Sequence, residues 1–397
     1  MKKLSLAVFS TQPPHLYFGG VERRIIETGK RLRNKVETEV YSGMKAGFRK
    51  PVRIDGIAFN PCFSTDLLFP IDNWFFNNTL ASAAKTIKAD IYEVHSVSGY
   101  GFLKALRRRR QKSPIVHVIH GVLADEYSKL LKQESSTLRG KLANLLMWRL
   151  SKLEEESAKL ATVVVTVSQY SVEKIIRFYK IDKAKISIVP NGVDTKIFKP
   201  SRSSLALRKQ LGLDNKPCVL FVGRLIPRKG LTFLVEAARN VVREFKQTVF
   251  LIVGDGPMRI HLVSYLKKHN LLENFVFTGD VSDTWLPILY NCADVFALPS
   301  VQEGQGIALL EAQATAKPVV AFNIGGVREN VLDKRSGFLV NPGSCELADA
   351  LMKLLGNRSL REKMGGEGRR FVANNLSWDI CANKMLEVYF GVLEGTL

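Results

Sequence analysis

The chain has 397 residues, 46% hydrophobic and 24% charged, which is long enough for two or three domains with full-sized cores and has the composition of a soluble globular protein. Its five cysteines, Cys62, Cys218, Cys292, Cys345 and Cys381, form no CxxC pair and no metal-ligand spacing with histidine, which excludes a disulfide framework and a structural zinc and fits a reducing compartment. No apolar run reaches the ~18 residues of a spanning helix, and the net charge of +21 is concentrated in residues 1–200, where 34 Lys+Arg stand against 18 Asp+Glu.

That basic half is the part suited to a polyanion or an anionic bilayer, so nucleic acid is a rival partner until the motifs are read. The start Met1-Lys2-Lys3 is basic, but the apolar segment stops before Thr11-Gln12-Pro13-Pro14 and offers no cleavage site. It reads as a first strand over residues 4–9 rather than a signal peptide. A loop over 10–18 leads to Gly19-Gly20 and a helical pattern over 21–32. Two glycines at a helix start let backbone approach a ligand closely, or they shape a turn.

Short strands and helices then alternate. Residues 38–41 and 57–59 read as strands, 78–88 as a helix, and 90–95 and 114–119 as strands ending on His95 and just before His120-Gly121. Such alternation predicts a parallel sheet covered on both faces, with ligands at the carboxyl ends of the strands. Glu93, His95 and His120 lie where that rule expects a crevice. A lone histidine is more often structural, and His120, followed by glycine at a strand end, is the stronger candidate of the two.

Two basic segments follow. Residues 102–110 join an apolar start to Arg107-Arg108-Arg109-Arg110, and a long helix from 138 mixes Leu138, Leu142, Leu145, Leu146, Trp148, Leu150 and Leu153 with Arg139, Lys141, Arg149 and Lys152. Each is suited either to lying on an anionic membrane surface or to being the solvated face of a packed helix. Residues 161–167 and 186–189 read as strands around a helix over 172–178. Pro190-Asn191-Gly192-Val193-Asp194 is a tight turn, and residues 198–204 look like a linker, which puts the domain boundary near 200.

The second half restarts the alternation and looks Rossmann-like. A strand over 219–222 enters Gly223-Arg224-Leu225-Ile226-Pro227-Arg228-Lys229-Gly230 and a helix over 231–245; a strand over 249–253 enters Gly254-Asp255-Gly256-Pro257. Arg224 and Lys229 stand where cations can neutralise a diphosphate, whereas Gly254-Asp255-Gly256 lacks the full GxGxxG pattern. A strand over 276–279 and a helix over 286–290 precede the stretch that organises the chain. There the apolar run 294–298 reaches Pro299-Ser300, then Glu303-Gly304-Gln305-Gly306, then a helix from Ile307 through Leu310 and Glu311. A strand, a glycine loop and a helix N-terminus make a place for an anionic group. The two glutamates would lie roughly 12 Å apart if the intervening steps were helical. Either they serve different ends of a long ligand, or Glu303 caps the loop and Glu311 sits in an ion pair.

By these residues the chain resembles the retaining nucleotide-sugar glycosyltransferases of the GT-B fold, glycosyltransferase family 4. Gly223-Arg224-Leu225 with Lys229-Gly230, Gly254-Asp255-Gly256-Pro257, Pro299-Ser300 with residues 303–311, and Gly325-Gly326 with Glu329 occur in that family's order over nearly the whole chain. The resemblance implies an α/β chain of two facing Rossmann-like domains with parallel sheets and an interdomain cleft. An acceptor-binding domain would cover residues 1–200, a donor-binding domain residues 201–377, and the last helix, about 378–397, would cross back to the first domain. It implies that Arg224 and Lys229 clamp the diphosphate, Glu311 binds the ribose, Glu303 faces the donor sugar, Gly19 and Gly20 close over the phosphates and His120 lies near the sugar. Gly256, Gly304, Gly306 and Leu310 complete the donor-binding set.

The implied reaction moves a sugar from a nucleotide-diphosphate sugar to an acceptor hydroxyl with retention, and the acceptor expected is a glycan or a lipid-linked, cell-envelope molecule. No cofactor or metal is expected: there is no Asp-x-Asp, and Arg224 with Lys229 can do the neutralising. The expected location is cytoplasmic, with peripheral contact at the inner face of an anionic membrane. Two departures stand out: Gln305 where many relatives carry an aromatic residue, and Lys317 before Pro318 where glycine is frequent. A phosphorylase or a nucleotide-sugar epimerase on the same fold is the alternative. A nucleic-acid-binding protein is disfavoured, because no zinc finger, helix-turn-helix or aromatic-interleaved RNA motif is evident.

Overall fold

The computed structural model describes residues 3–17, 19–65, 69–111, 113–132, 138–201 and 204–396, with 69–70, 132 and 138–140 described by backbone alone. Met1, Lys2, Phe18, Arg202 and Ser203, and the side chains of Leu138 and Arg139, therefore lie outside the described residues. The contacts divide the chain into two units, Met1–Pro190 with Trp378–Leu397, and Asn191–Ser377.

The first unit is built on strands β1 (Leu4–Ser10), β2 (Val36–Gly43), β3 (Val52–Ile54), β4 (Ile57–Cys62), β5 (Ile91–His95), β6 (Ile115–Ile119), β7 (Val163–Thr166) and β8 (Ile186–Ile188). They form one sheet in the order β3-β4-β2-β1-β5-β6-β7-β8, parallel except for the β3–β4 hairpin. Its helices are α1 (Gly20–Leu32), α2 (Phe69–Ala83), α3 (Tyr100–Arg108), α4 (Leu123–Lys132), α5 (Leu138–Leu160) and α6 (Gln169–Tyr179). Strands β5, β6 and β7 are buried along their whole length, as β-branched strands covered on both faces must be.

Helix α2 departs from the sequence expectation, since it starts well before residue 78 and ends before 88. Its early turns, rich in aromatics and asparagine, have weak intrinsic helix propensity. Tertiary contacts hold them instead: Asp72, fully buried, pairs with Lys45 and accepts the Thr65 N–H at 3.1 Å, and Phe76 and Leu80 enter the core.

The second unit carries β9 (Cys218–Val222), β10 (Val249–Val253), β11 (Phe275–Gly279), β12 (Val295–Leu298), β13 (Val319–Phe322) and β14 (Gly337–Val340), with helices α7 (Ser204–Gln210), α8 (Leu231–Glu244), α9 (Arg259–Lys268), α10 (Leu286–Cys292), α11 (Ile307–Ala314), α12 (Ser344–Leu355) and α13 (Arg358–Asn375). The all-parallel order β11-β10-β9-β12-β13-β14 reverses direction between β9 and β12. That reversal is the switch point at which doubly wound sheets bind ligands.

The division falls at Pro190/Asn191, earlier than residue 200. Residues read as a turn and as a linker are part of the second core: Val193 of the turn and Phe198 of the linker are buried there, Phe198 meets the Tyr290 ring edge-on, and the Val193 N–H donates to the Leu376 carbonyl. The last helix, α14 (Trp378–Glu394), packs on α1 within the first unit. Trp378, Cys381, Ala382, Met385, Val388, Tyr389 and Val392 recur at three- and four-residue spacing and make its buried stripe. Arg24 of α1, 1% exposed, donates to the Val189 carbonyl at 2.8 Å and reaches Met385 Sδ at 3.1 Å.

Candidate functional site

In the second unit the site-bearing segments converge on the switch point. Gly223 follows β9, and the loop after β12 reaches it through the Val301 N–H donating to the Arg228 carbonyl at 2.9 Å. Gly230, at φ 66°, begins α8 so close to the Pro299 carbonyl that a Cβ would overlap it. The Gly254-Asp255-Gly256 turn packs on the same loop, because the Leu225 N–H donates to the Asp255 carbonyl and the Met258 N–H donates to the Leu225 carbonyl. Gly256, at φ 159°, leaves room for that Leu225 carbonyl. Its lack of a side chain is thus explained by backbone packing before any ligand is considered.

Glu303 is 8% exposed, and its carboxylate is enclosed by donors. Oε1 accepts from Lys229 Nζ and, at 2.9 Å, from Ser300 Oγ, while Arg228 stands 3.8 Å from Oε2. Burial alone would raise this carboxyl, but the charges of Lys229 and Arg228 and the two hydrogen bonds outweigh it and hold the group below the ordinary carboxylate range. Lys229 is therefore paired with Glu303 and not a free cation; Arg224 is exposed and has no ion pair among the described residues.

Gly304 lies between Glu303 and Gln305, and Gly306, at φ 90°, is the N-cap of α11. The Leu310 side chain is fully buried in the core of the unit, so it presents no group to a ligand except backbone. Glu311, 4% exposed, accepts the Tyr290 hydroxyl at 2.7 Å. Gln305 is an inward structural clamp: its Oε1 accepts the Asn191 N–H at 2.8 Å and its Nε2 donates to the Asn191 carbonyl at 3.0 Å. Asn330 holds the loop from the other side by donating to the Gln305 and Gly326 carbonyls. Lys317, largely buried, donates to the Asn291 carbonyl at 3.2 Å.

In the first unit Gly19 and Gly20 are exposed at the start of α1, with Gly19 as N-cap, but the acid Glu22 folds back on Gly19. Burial raises the Glu22 carboxyl. His120 belongs to a buried chain of groups: His95 Nδ1 and His120 Nε2 are 2.9 Å apart, His95 Nε2 and Glu93 Oε1 2.8 Å, and the Tyr389 hydroxyl donates to Glu93 Oε2 at 2.5 Å. Burial would raise the Glu93 carboxyl, but the bond and charge of His95, the Tyr389 bond and the Arg24 charge hold it down. Burial first, then the charges of His95, Arg24 and His117, put His120 well below its ordinary value of 6.5. Among the described residues no group of three or more His, Cys, Asp or Glu side chains is placed to hold a metal ion.

Sequence reasoning missed Arg228, Ser300, Tyr290 and Tyr389 as partners of the acidic groups. Arg228 and Tyr290 lie 75 and 21 residues from their partners, and Tyr389 lies 296 from Glu93, so no local pattern announces them. Ser300, three residues before Glu303, was within reach of a local reading.

Residues 204–371 match the family model of glycosyl transferases group 1, and residues 18–197 that of Glycosyltransferase Family 4. A GDP-mannose-dependent alpha-(1-6)-phosphatidylinositol monomannoside mannosyltransferase of Mycobacterium tuberculosis is 35% identical over 58% of this chain, a match that spans 62% of the relative's length. A UDP-Gal:alpha-D-GlcNAc-diphosphoundecaprenol alpha-1,3-galactosyltransferase of Escherichia coli is 30% identical over 79% of each chain. Among solved structures, sucrose-phosphate synthase from Thermosynechococcus elongatus superposes with a TM-score of 0.83 at 20% identity over 99% of this chain and 100% of that one. Anabaena HepE in complex with UDP-glucose gives 0.77 at 22% identity over 97% and 99%. The chain belongs to glycosyltransferase family 4, the glycosyl transferases group 1, and its two parallel-sheet α/β units are those of the GT-B fold.

Proposed function

We propose that the protein transfers a sugar from a nucleotide-diphosphate sugar to an acceptor hydroxyl, with retention at the anomeric carbon and without a metal ion. The observation that carries this reading is the buried, ionised Glu303 at the switch point of the second sheet, among Lys229, Arg228 and the N-terminus of α11. As the glycosidic bond breaks, negative charge builds on the leaving diphosphate, and fixed cations and helix-end N–H groups stabilise it at no reorganisation cost. Arg224, exposed and without an ion pair among the described residues, and Lys229, held by Glu303, take that role, with Gly304 and Gly306 admitting the phosphates to the α11 backbone. Glu311 takes the ribose hydroxyls, oriented by Tyr290.

Glu303 positions the sugar and supports its oxocarbenium-like charge. Two donors on Oε1 and a lowered pKa make the carboxylate a weak base and a weak nucleophile, which argues against covalent attack.

The acceptor in this reading is lipid-linked. The two basic segments and α2 line one cavity of about 1100 Å³ in the first unit, where Trp74 and Trp148 stand with Lys104, Arg108 and Arg149. No acidic residue lines it among the described residues. Trp74 is 60% and Trp148 42% exposed, a pairing of aromatic and cationic groups suited to a lipid with an anionic headgroup at a membrane surface. The mycobacterial and E. coli relatives are named for lipid acceptors. No described helix is long and apolar enough to cross a membrane, so contact would be peripheral.

A thermal-shift panel of UDP-, GDP- and ADP-sugars, followed by nucleoside diphosphate release with lipid extract, tests the reading. A donor at 100 times its Kd stabilises by about 2.7 kcal/mol. Absence of both shift and release across the panel overturns it, and product formed without an acceptor, or only with phosphate, would replace transfer by epimerisation or phosphorolysis.

A further inference from the structure

We propose that Gln305 is a positioning residue of the donor loop: its carboxamide ties the segment that carries Glu303 and the start of α11 to the peptide groups of Asn191, the residue with which the chain enters the second unit. The loop needs such a tie. Gln305 stands between Gly304 and Gly306, two residues with no side chain to restrict them, and Gly306 already uses the left-handed freedom of glycine at φ 90°. Without an anchor that segment would sample many backbone states, and the N–H groups at the start of α11 would have no fixed direction. The Gln305 and Asn191 residues are both buried, and Gln305 Oε1 accepts the Asn191 N–H at 2.8 Å while Nε2 donates to the Asn191 carbonyl at 3.0 Å. The orientation of the amide is forced, because only its oxygen can meet a backbone N–H and only its nitrogen a carbonyl.

Further contacts build a buried frame around the loop. Asn330 Nδ2 donates to the Gln305 carbonyl at 3.1 Å and to the Gly326 carbonyl at 2.7 Å, and the Gly326 N–H donates to the Glu303 carbonyl at 3.1 Å. Gln313 Nε2, from α11, donates to the Asn330 carbonyl at 2.8 Å. Asn330 and Gln313 are themselves buried, and every residue of the frame belongs to the second unit. Glu303 is thus held by its carboxylate through Lys229 and Ser300 and by its main chain through Gly326, and Gln305 fixes the backbone that follows it. A site residue is only as well placed as the groups that support it, and here the support reaches back to Asn191, 114 residues earlier. An aromatic side chain offers no amide donor or acceptor, so the tie is a property of the glutamine. That the loop meets a donor rests on the proposed function.

The test makes the clamp titratable in the full chain. In Gln305→Glu the ionised side chain still accepts the Asn191 N–H but sets a second oxygen against the Asn191 carbonyl, whereas the protonated side chain donates to that carbonyl and restores both bonds. Burial and the facing carbonyl raise its pKa, so the clamp is present at low pH and is lost as the pH rises through the folded value. Amide exchange over residues 303–307 should match the wild type at about pH 5 and be faster than the wild type at about pH 8, with β9, β10 and β12 unchanged. UDP, GDP and ADP, titrated by calorimetry, are the binding probes. Affinity for a nucleotide that the wild type binds should fall on the order of 10-fold at about pH 8, as for a loop whose binding-competent form is populated about a tenth of the time, and recover at about pH 5. Gln305→Met, close in length and without a strong donor or acceptor, should show the fast exchange and the weak affinity at both pH values.

Wild-type exchange and affinity in Gln305→Met overturn the proposal, and so does a loop that exchanges faster with no loss of affinity. Protection lost throughout the second unit in both variants overturns it too, since Gln305 would then be a part of the core and not a support of the loop. A wild type that binds none of the three nucleotides overturns the glycosyl-transfer reading instead, and the exchange of residues 303–307, which needs no ligand, still decides the clamp.

Discussion

Lys229 and Glu303 are separated by 74 residues and form a buried ion pair, with side chains 15% and 8% exposed. Removing one member of such a pair strands a charge, which costs about 3 kcal/mol or more. Lys229→Met should therefore lower stability in urea by about that amount, and adding Glu303→Gln should restore most of it, since the stranded charge is then gone. Additive losses in the double variant would show that the two side chains are not coupled. Glu303 has a folded pKa below its ordinary 4.5, so its contribution is present above that pH and is lost as the pH falls through the folded value. Both residues were picked out in the sequence from a glycine loop and a strand end, but as separate contacts of one ligand. Their mutual bond, and the clamp of Gln305 on Asn191, are long-range pairings that no residue spacing encodes.

Helix α5 was legible as a long amphipathic helix, yet the residue that ties it to its neighbours was not. Glu154 is fully buried and accepts the Leu123 N–H at the start of α4 at 2.9 Å and the Tyr179 hydroxyl at the end of α6 at 2.6 Å. Burial, opposed in part by those two bonds, pushes its carboxyl up to about 7. The folded state thus binds this proton more tightly than the unfolded chain. The stabilisation is fully present below about 4.5 and is lost as the pH rises through 7, to the extent of about 3 kcal/mol. Glu154→Gln should remove that slope and be more stable than the wild type at pH 8 but not at pH 4.5, as thermal unfolding at the two pH values would show. An unchanged slope would mean that Glu154 is ionised in the fold. Elements with strong periodicity, such as the β-branched strands and α8, were readable because burial selects apolar residues at fixed intervals. The early turns of α2 were not, because Asp72 and Phe76 are held by distant partners.

Across the molecule, α14 completes the first unit from the far end of the chain. It buries Trp378, Met385, Tyr389 and Val392, side chains that contribute about 2 kcal/mol each when fully buried, against a total stability of about 5–15 kcal/mol for a domain. A chain ending at Ser377 should lose amide-exchange protection in α1 and β5 while β9, β10 and β12 keep theirs; equal protection in both units would mean that α14 is dispensable. The α/β class, the strand and helix alternation, the basic first half, the glycine-bounded loops that carry Arg224 and Glu303 and the helix that carries Glu311 are legible in the residues alone, because burial periodicity and backbone freedom are local properties of the chain. Folding alone brings Lys229 to Glu303, turns Gln305 inward, draws Phe198 into the second core and sets Tyr389, Glu93, His95 and His120 on one hydrogen-bonded line. Those are relations between residues far apart in sequence, and they exist only once the sheets have set the distances.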